Sequence, residues 1–186
     1  FAKRMAAISK MCPHFHLSLQ SGCDTVLKRM NRKYTIDEYK RGVQILRKYF
    51  DNPAITTDVI VGFPGESEEE FERTYHFLEK VGFADVHIFK YSRRKGTKAD
   101  LMPRQIEESV KACRSSRLIE LGKRMTINYI ESHIGKEVSA LMEESIVLDN
   151  EKYSQGYTKE YIKVLYKTNE DISNELISGK GISIYN

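Results

Sequence analysis

The fold is decided by the stretch TTDVIVGFPGESEEE, residues 56–70. Its first six residues are rich in β-branched side chains and predict a buried strand that ends at Gly62. Ser67, with Glu70 three residues later, forms a capping box, which predicts the start of a helix. A strand that is followed by a glycine turn and a capped helix is half of a βαβ unit. The stretch therefore predicts a parallel α/β sheet.

The same order of elements repeats on both sides of this stretch. Residues 14–19 and 85–91 predict two further strands, and Thr35 with Glu38 predicts a second capped helix that runs to Tyr49. Strands that alternate with helices in this way form a parallel sheet. Three strands are too few to close a barrel, so the residues alone leave open a larger α/β barrel or an open sheet.

Two more helices are predicted towards the ends of this α/β region. Residues 1–10 have a helical pattern, which begins at Phe1 rather than at Met, and we expect the chain to be the C-terminal portion of a longer protein. Residues 103–131 predict one long helix, because apolar side chains recur at helical spacing and Pro103 suits a first helical turn.

The texture of the sequence changes after Gly135. Short β-like runs follow, separated by Asn, Asp and Gly, and they predict a separate all-β module. The runs are residues 138–142, 153–158, 161–166 and 181–185. We therefore divide the chain into an α/β part, residues 1–131, and a β module, residues 132–186.

The composition fits a soluble protein with a hydrophobic core. Of the 186 residues, 40% are hydrophobic and 30% are charged, and the longest apolar runs are far shorter than the roughly 20 residues of a membrane helix. The three cysteines are too few and too widely spaced for a disulfide framework. With no recognisable export signal, these features predict a cytoplasmic protein without a membrane partner.

The charge is unevenly distributed along the chain. Residues 1–131 carry 24 Lys and Arg against 17 Asp and Glu, a net +7, whereas residues 132–186 carry 6 against 9, a net −3. A basic α/β part is compatible with an anionic partner such as nucleic acid. A mixed solvated surface accounts for the charge equally well.

Candidate site residues follow the predicted strands, since ligands of parallel α/β folds bind at the carboxyl ends of the strands. Ser18 and Gln20 lie at the end of the first strand and directly after it, Asp58 lies on the second, and Tyr91 ends the third. Burying an unpaired Gln or Asp is unfavourable, so these side chains either bond to their neighbours or hold a ligand. The turn GFPGE, residues 62–66, leads into a helix N-terminus, which favours negative groups of a ligand.

Other candidates are weaker. His14 and His16 alternate along one strand, but no third ligand is apparent beside them, so we expect no metal site. Cys23 is interpreted as a small turn residue rather than a redox thiol. A basic group follows the third strand and is interpreted either as a phosphate-contacting patch or as a solvated loop. It comprises Arg93, Arg94, Lys95 and Lys98.

Three segments together resemble the radical S-adenosylmethionine methylthiotransferases. They are HFHLSLQSGCDTVLKRMNRKY at residues 14–34, TTDVIVGFPGESEEEF at 56–71 and FKYSRRKGT at 89–97. The sequence is most similar to the branch that acts on threonylcarbamoyl-adenosine next to the anticodon of tRNA. The resemblance implies the C-terminal part of a partial TIM-type barrel, followed by a small β-barrel of the TRAM type.

The resemblance also implies a reaction. In that family a 4Fe-4S cluster cleaves S-adenosylmethionine to a radical, which removes a hydrogen from carbon 2 of the adenine. A sulfur donor supplies sulfur through a second cluster, and another S-adenosylmethionine supplies the methyl group. Gln20, Arg32 and Asp58 match family positions that contact S-adenosylmethionine, with Ser18 and Tyr91 as further candidates. The basic group at residues 93–98 is expected to contact the tRNA.

One departure from the family limits these expectations. The three-cysteine motif that binds the cluster is absent, and Cys12, Cys23 and Cys113 do not have its spacing. We therefore expect the clusters to be bound by an N-terminal part outside this chain, and the chain alone to be inactive and free of iron. A methylthiotransferase acting on a ribosomal protein and a non-catalytic RNA- or protein-binding module remain as alternatives. The sequence does not indicate an oligomeric state.

Overall fold

The structure of the chain, a computed structural model, describes residues 1–185. Within them, five α-helices and one 3-10 helix are formed. The α-helices are α1 (Ala2–Ala6), α2 (Asp24–Arg29), α3 (Ile36–Tyr49), α4 (Glu68–Val81) and α5 (Glu108–Glu131), and the 3-10 helix is Ala99–Leu101. The strands are β1 (His14–His16), β2 (Ala54–Val61), β3 (Asp85–Lys90), β4 (Glu137–Leu148), β5 (Glu151–Thr158), β6 (Lys163–Lys167) and β7 (Leu176–Lys180).

The first three strands form a parallel sheet in the order β1-β2-β3. The predicted parallel α/β architecture is therefore confirmed. Both capping boxes are present, at Thr35 with Glu38 and at Ser67 with Glu70. Each satisfies backbone N–H groups that the first turn of a helix leaves free.

The two faces of the parallel sheet differ in character, because successive side chains of a strand point to opposite sides. On one face, Val59 and Val61 are buried against the helices, together with Phe71, Leu78 and Leu118. On the other face, Asp58 and Ile60 are half-buried, and no helix covers them in residues 1–185. This second face, called the open face below, carries the polar side chains of the sheet.

The last four strands form a separate antiparallel sheet in the order β6-β5-β4-β7. Its small core contains Ala140, Met142 and Ile172. A Cβ atom on Gly156 would lie 2.1 Å from the carbonyl oxygen of Leu141, so the pairing of β4 with β5 requires glycine there. The change from an α/β part to β structure agrees with the change in sequence pattern.

An aromatic stack joins the two sheets. The ring of Tyr161, in the turn between β5 and β6, lies between two other rings. Its centroid is 4.6 Å from that of Tyr157 and 5.4 Å from that of His14, with nearly parallel planes in both pairs. His14 begins β1, so this contact lies at the amino end of the parallel sheet.

Several predicted boundaries differ from those of the structure. The long helix begins at Glu108 rather than Pro103, because Arg104 has a positive φ of 57° that a helix excludes. The last predicted strand, residues 181–185, is not a strand. The strand instead covers Leu176–Lys180, which pairs with the first residues of β4.

The first strand is shorter than predicted and the first helix ends early. β1 ends at His16, although the chain continues beside β2 as far as Gln20. The hydroxyl of Thr57 interrupts the ladder, because it accepts from the N–H of Leu19 and donates to the carbonyl of Leu17. The helix predicted for residues 1–10 covers only Ala2–Ala6. The six-residue helix α2 was not predicted.

Candidate functional site

The candidate site lies on the open face, where the three parallel strands bring polar side chains together. The register places His16 opposite Thr56, and Asp58 opposite His87. Side chains at alternate positions share a face, so His16, Asp58 and His87 become neighbours across three strands. They are partly exposed, with the carboxylate of Asp58 in the middle.

Each carboxylate oxygen of Asp58 faces one imidazole. Oδ2 is 3.1 Å from Nε2 of His16, and Oδ1 is 3.2 Å from Nδ1 of His87. The two imidazole rings stack with centroids 5.9 Å apart. We call these three residues the His-Asp-His cluster.

A second layer of polar groups surrounds this cluster. Nδ1 of His16 is 3.0 Å from the hydroxyl of Thr56, and Nε2 of His87 is 3.4 Å from a carboxylate oxygen of Asp85. The hydroxyl of Ser18 lies 3.2 Å from Nε2 of His16 and 3.4 Å from Oδ2 of Asp58. The far nitrogen of each ring therefore has a partner of its own, which favours one orientation of each imidazole.

Gln20 is fixed beside Asp58 by its backbone. Its N–H donates to the carbonyl of Asp58 at 2.8 Å, and its carbonyl accepts from the N–H of Ile60 at 2.9 Å. Its φ is 68°, in the left-handed region that non-glycine residues rarely adopt. The residue is 7% exposed, and its side-chain amide forms no hydrogen bond within residues 1–185. A strained backbone beside a free amide is consistent with a ligand-binding position.

Arg32 lies in the connection after α2, with an exposed guanidinium that pairs with no carboxylate of residues 1–185. Two residues further on, the hydroxyl of Tyr34 donates to the carbonyls of Ser18 and Leu19, at 3.0 and 2.8 Å. Burial raises the pKa of Tyr34, which keeps that hydroxyl a donor. This anchor holds the connection that carries Arg32 at the same end of β1 as Gln20, but no contact joins Arg32 to Asp58.

Tyr91 occupies a different setting. Its ring packs against Phe63 with centroids 5.3 Å apart, and Nζ of Lys111 lies 5.6 Å from its centroid. Its hydroxyl is buried and has no hydrogen-bond partner among the described residues. Cys23 is buried in the same small apolar cluster, which is consistent with a small packing residue.

The basic group after β3 is divided by its contacts. Arg93 donates to the side chain and to the carbonyl of Asp100, each at 2.9 Å. Arg94, Lys95 and Lys98 are exposed, and their side chains form no ion pair within the described part of the chain. Their charges are therefore available to an external anion, whereas that of Arg93 stabilises the loop.

The turn at residues 62–66 is held in place by the buried side chain of Glu66. The carboxylate of Glu66 accepts from the N–H of Gly62 at 2.7 Å and from the guanidinium of Arg114 at 2.8 Å. Both side chains are almost fully buried, 1% and 6% exposed. Burial raises the pKa of Glu66, and the two hydrogen bonds and the Arg114 charge oppose that rise. The arrangement ties the strand-end turn to α5.

Sequence reasoning missed His87 and Asp85 as members of the site. The signal was present, because the third predicted strand begins DVHIF and its Asp and His alternate onto one face. The sequence does not reveal the register between β2 and β3. In the structure this register places His87 directly opposite Asp58, rather than two residues further along the strand.

Several known proteins are similar in sequence to this chain. Residues 1–78 match the Radical SAM superfamily. The chain is 40% identical to the threonylcarbamoyladenosine tRNA methylthiotransferase MtaB of Bacillus subtilis over 172 residues, which are 92% of this chain and 38% of that protein. It is 45% identical to the protein of the same name from Thermotoga maritima over 154 residues, 83% of this chain and 35% of that protein.

A third relative carries a different name. The tRNA-2-methylthio-N(6)-dimethylallyladenosine synthase of Caldicellulosiruptor saccharolyticus is 43% identical over 139 residues, 75% of this chain and 30% of that protein. The chain thus spans between 30% and 38% of the length of these three curated relatives. With the parallel sheet and the polar strand ends, these matches show that the chain is similar over most of its length to the radical S-adenosylmethionine methylthiotransferase family.

The family implies an iron–sulfur cluster, and the cysteines of this chain do not fit one. Cys12 and Cys113 are exposed, on the connection before β1 and on α5, whereas Cys23 is buried in the apolar cluster. Within residues 1–185 the three thiols do not form a group that a metal ion could join. The family also implies S-adenosylmethionine, and the groups of this chain whose chemistry suits its polar atoms are the amide of Gln20, the exposed guanidinium of Arg32 and the partly exposed carboxylate of Asp58.

None of the helices in residues 1–185 combines the length and the apolar character that a membrane span requires.

Proposed function

We propose that this chain forms the S-adenosylmethionine-binding and tRNA-facing portion of a tRNA methylthiotransferase. The observation that carries the proposal is the placement of Gln20, which follows β1, beside Asp58 of β2, in a chain similar to this family. In this proposal the parallel sheet is part of a TIM-type barrel whose interior is the open face, and the antiparallel sheet is a TRAM-like module at residues 132–186. The clusters belong to a part of the enzyme other than this chain, and the sulfur donor is a separate partner.

The side chains have distinct roles towards S-adenosylmethionine. The guanidinium of Arg32 pairs with the carboxylate of the ligand, for which its planar donors are suited. Asp58 accepts from ribose hydroxyls through lone pairs that the imidazoles leave free, and Gln20 donates and accepts beside it. Ser18 lies within reach of the same position. Bound S-adenosylmethionine supplies the radical precursor and the methyl group.

The substrate proposed for the complete enzyme is N6-threonylcarbamoyl-adenosine next to the anticodon of tRNA, methylthiolated at carbon 2. The two MtaB relatives, named for threonylcarbamoyladenosine, are 40% and 45% identical to this chain. The names of all three relatives contain tRNA, which favours tRNA over a ribosomal protein as the substrate. The exposed charges of Arg94, Lys95 and Lys98 suit phosphates around a base that has left its stack. A cytoplasmic location follows from this role.

The proposal is tested by replacing the matching segment of the Bacillus subtilis relative with this chain. The chimera should restore the methylthiolated nucleoside in a strain that lacks the relative, as measured by mass spectrometry of digested tRNA. If the chimera is stable but yields no product, while the unmodified relative is active in the same strain, the chain is better explained as a non-catalytic binding module.

Arg32 provides a sharper test of the ligand site in the same chimera. Arg32→Ala should weaken S-adenosylmethionine binding by roughly 1.5–3 kcal/mol, because a charged hydrogen bond is lost. Equilibrium dialysis measures the dissociation constant, and Arg41→Ala, an exposed arginine on α3, is the matched control. An unchanged constant for Arg32→Ala would remove Arg32 from the site.

A further inference from the structure

We infer that the His-Asp-His cluster is a binding site for one divalent transition-metal ion, with zinc as the reference ion. The ligands are Nε2 of His16, Nδ1 of His87 and a carboxylate oxygen of Asp58, and these atoms lie within 4.8 Å of one another. Two imidazoles and one carboxylate are a ligand set that zinc and ferrous iron accept, with further positions open.

The distances already match coordination closely. Zinc–nitrogen and zinc–oxygen bonds of about 2.0–2.1 Å place the ligand atoms of a tetrahedral site roughly 3.3 Å apart. The two imidazole–carboxylate distances are 3.1 and 3.2 Å. The two imidazole nitrogens lie no more than 4.8 Å apart, and both rings are partly exposed and hence able to turn towards an ion.

The groups behind the ligands are those that metal-binding histidines use. A ligating imidazole normally donates its other N–H to a carboxylate, a carbonyl or another acceptor, which fixes the ring and its tautomer. Asp85 lies 3.4 Å from the far nitrogen of His87, and the hydroxyl of Thr56 lies 3.0 Å from that of His16. Each histidine is thus arranged to direct a lone pair at the centre of the cluster.

The electrostatic setting also favours a cation. Asp58 and Asp85 contribute two negative charges, and neither forms an ion pair with Lys or Arg in residues 1–185. The open face leaves room for the further ligands, since no helix covers it within the described residues. Ser18 offers a hydroxyl beside both His16 and Asp58, as an additional ligand or as a partner for bound water.

This inference goes beyond the proposed function, and its test requires neither S-adenosylmethionine nor tRNA. The chain, freed of metal by chelator, is titrated with zinc by calorimetry and with cobalt by visible absorption. One ion should bind per chain, and the cobalt spectrum should lack the thiolate charge-transfer band that coordination by Cys12, Cys23 or Cys113 would produce.

Variants assign the ligands. His87→Gln and Asp58→Asn should each weaken zinc binding roughly 100-fold or more, and Asp85→Asn roughly tenfold, as expected for a ligand and for the group behind it. His76→Ala is the control, because this exposed histidine on α4 pairs only with Glu79. Circular dichroism verifies that each variant is folded.

Three outcomes would overturn the site. The first is the absence of zinc binding to the metal-free chain. The second is a thiolate band in the cobalt spectrum. The third is a zinc affinity of His87→Gln and Asp58→Asn that equals the affinity of His76→Ala. In that case the cluster is a hydrogen-bonded triad that only orients Asp58.

Discussion

Glu66 and Arg114 are the residues on which the strand-end turn depends most. Removing two charges from water is unfavourable, and their attraction offsets this only when the remaining polar atoms are also satisfied. Here the carboxylate accepts from the N–H of Gly62 as well, and the guanidinium also donates to the carbonyl of Glu66 and to Glu68. Breaking one side of the pair leaves a buried charge without its partner.

Arg114→Met should therefore lower the free energy of unfolding by about 3–5 kcal/mol. Urea denaturation measures the change. Arg117→Met is the matched control, since Arg117 lies on the same helix and pairs with Glu68 and Glu72 at the surface, and its loss should be worth at most about 1 kcal/mol. Equal losses from both variants would show that the Glu66 pair has no special importance.

At the scale of single residues, the sequence indicated which residues are candidates for the site but not which contacts they make. Gln20 and Asp58 were identified because ligands of parallel α/β folds bind at the carboxyl ends of the strands, and because an unpaired Gln or Asp is unfavourable to bury among apolar strand residues. Their backbone contact and the φ of 68° at Gln20 depend on how the chain passes Thr57, which no local pattern contains. Tyr91 satisfied the same rule, yet its ring packs against Phe63, because the rule gives the end of a strand and not the direction of a side chain.

Among the elements, α4 shows how a helix start is joined to its neighbour. Glu70 completes the capping box with Ser67. Its carboxylate also accepts hydrogen bonds from both terminal nitrogens of Arg29, on α2, at 3.0 and 2.5 Å. The Arg29 hydrogen bond, followed by those from Thr25 and the backbone of Ser67, lowers the pKa of Glu70 to about 2. The carboxylate is 14% exposed.

This lowered pKa predicts a pH dependence of stability. In the unfolded chain Glu70 titrates near its ordinary value of 4.5. The folded state holds the charged form more strongly, so the stabilisation is fully present above that value and is lost as the pH falls through about 2. After allowance for screening by solvent, it amounts to about 1–2 kcal/mol.

Glu70→Gln should therefore reduce the acid sensitivity of the chain. The difference in unfolding free energy between the parent and this variant should be constant from pH 7 to 5 and should shrink towards pH 2. Urea denaturation across this range measures it, with Glu69→Gln as the control because that exposed neighbour has no ion pair in residues 1–185. A difference that does not vary with pH would contradict the assignment to Glu70.

Element prediction succeeded where a local signal exists and failed where tertiary contacts decide. The capping boxes predicted the starts of α3 and α4. The short helix α2 lacks a side-chain cap and is held by burial of Val26 and Leu27, so its sequence alone carries little helical signal. The strand β7 likewise forms where β4 offers a partner, rather than at the β-rich residues 181–185.

For the whole molecule, the free basic side chains and the contact between the two sheets lie at opposite ends of the parallel sheet. The exposed residues Arg94 and Lys95 follow β3 at the carboxyl edge of the sheet, where Gln20 also lies. Residues 132–186, which contain the antiparallel sheet, are net negative, and this part contacts the amino end of the parallel sheet through the stack of Tyr161 on His14. The sequence predicted two parts of opposite charge, but only the fold shows at which edge they meet.

Two of the basic side chains in the antiparallel sheet are already engaged. Nζ of Lys167 lies 2.6 Å from a carboxylate oxygen of Glu151, and Nζ of Lys163 lies 5.8 Å from the centroid of Tyr157. The corresponding nitrogens of Arg94 and Lys95 form no such contacts within residues 1–185. If the proposed function holds, the loop after β3 is the better phosphate-binding surface.

Reversing Arg94 and Lys95 to Glu should therefore weaken tRNA binding more than reversing Lys163 and Lys167 does, although both pairs change the net charge equally. Arg93 is left intact, because its bonds to Asp100 hold the loop. Phosphate contacts release counterions, so the salt dependence of log K should lose roughly one unit of slope for each contact removed in the loop variant. Filter retention of tRNA at several salt concentrations measures both quantities. If the Lys163 and Lys167 pair proves the more damaging, the antiparallel sheet is the principal RNA contact, and a local basic face outweighs the net negative charge of residues 132–186.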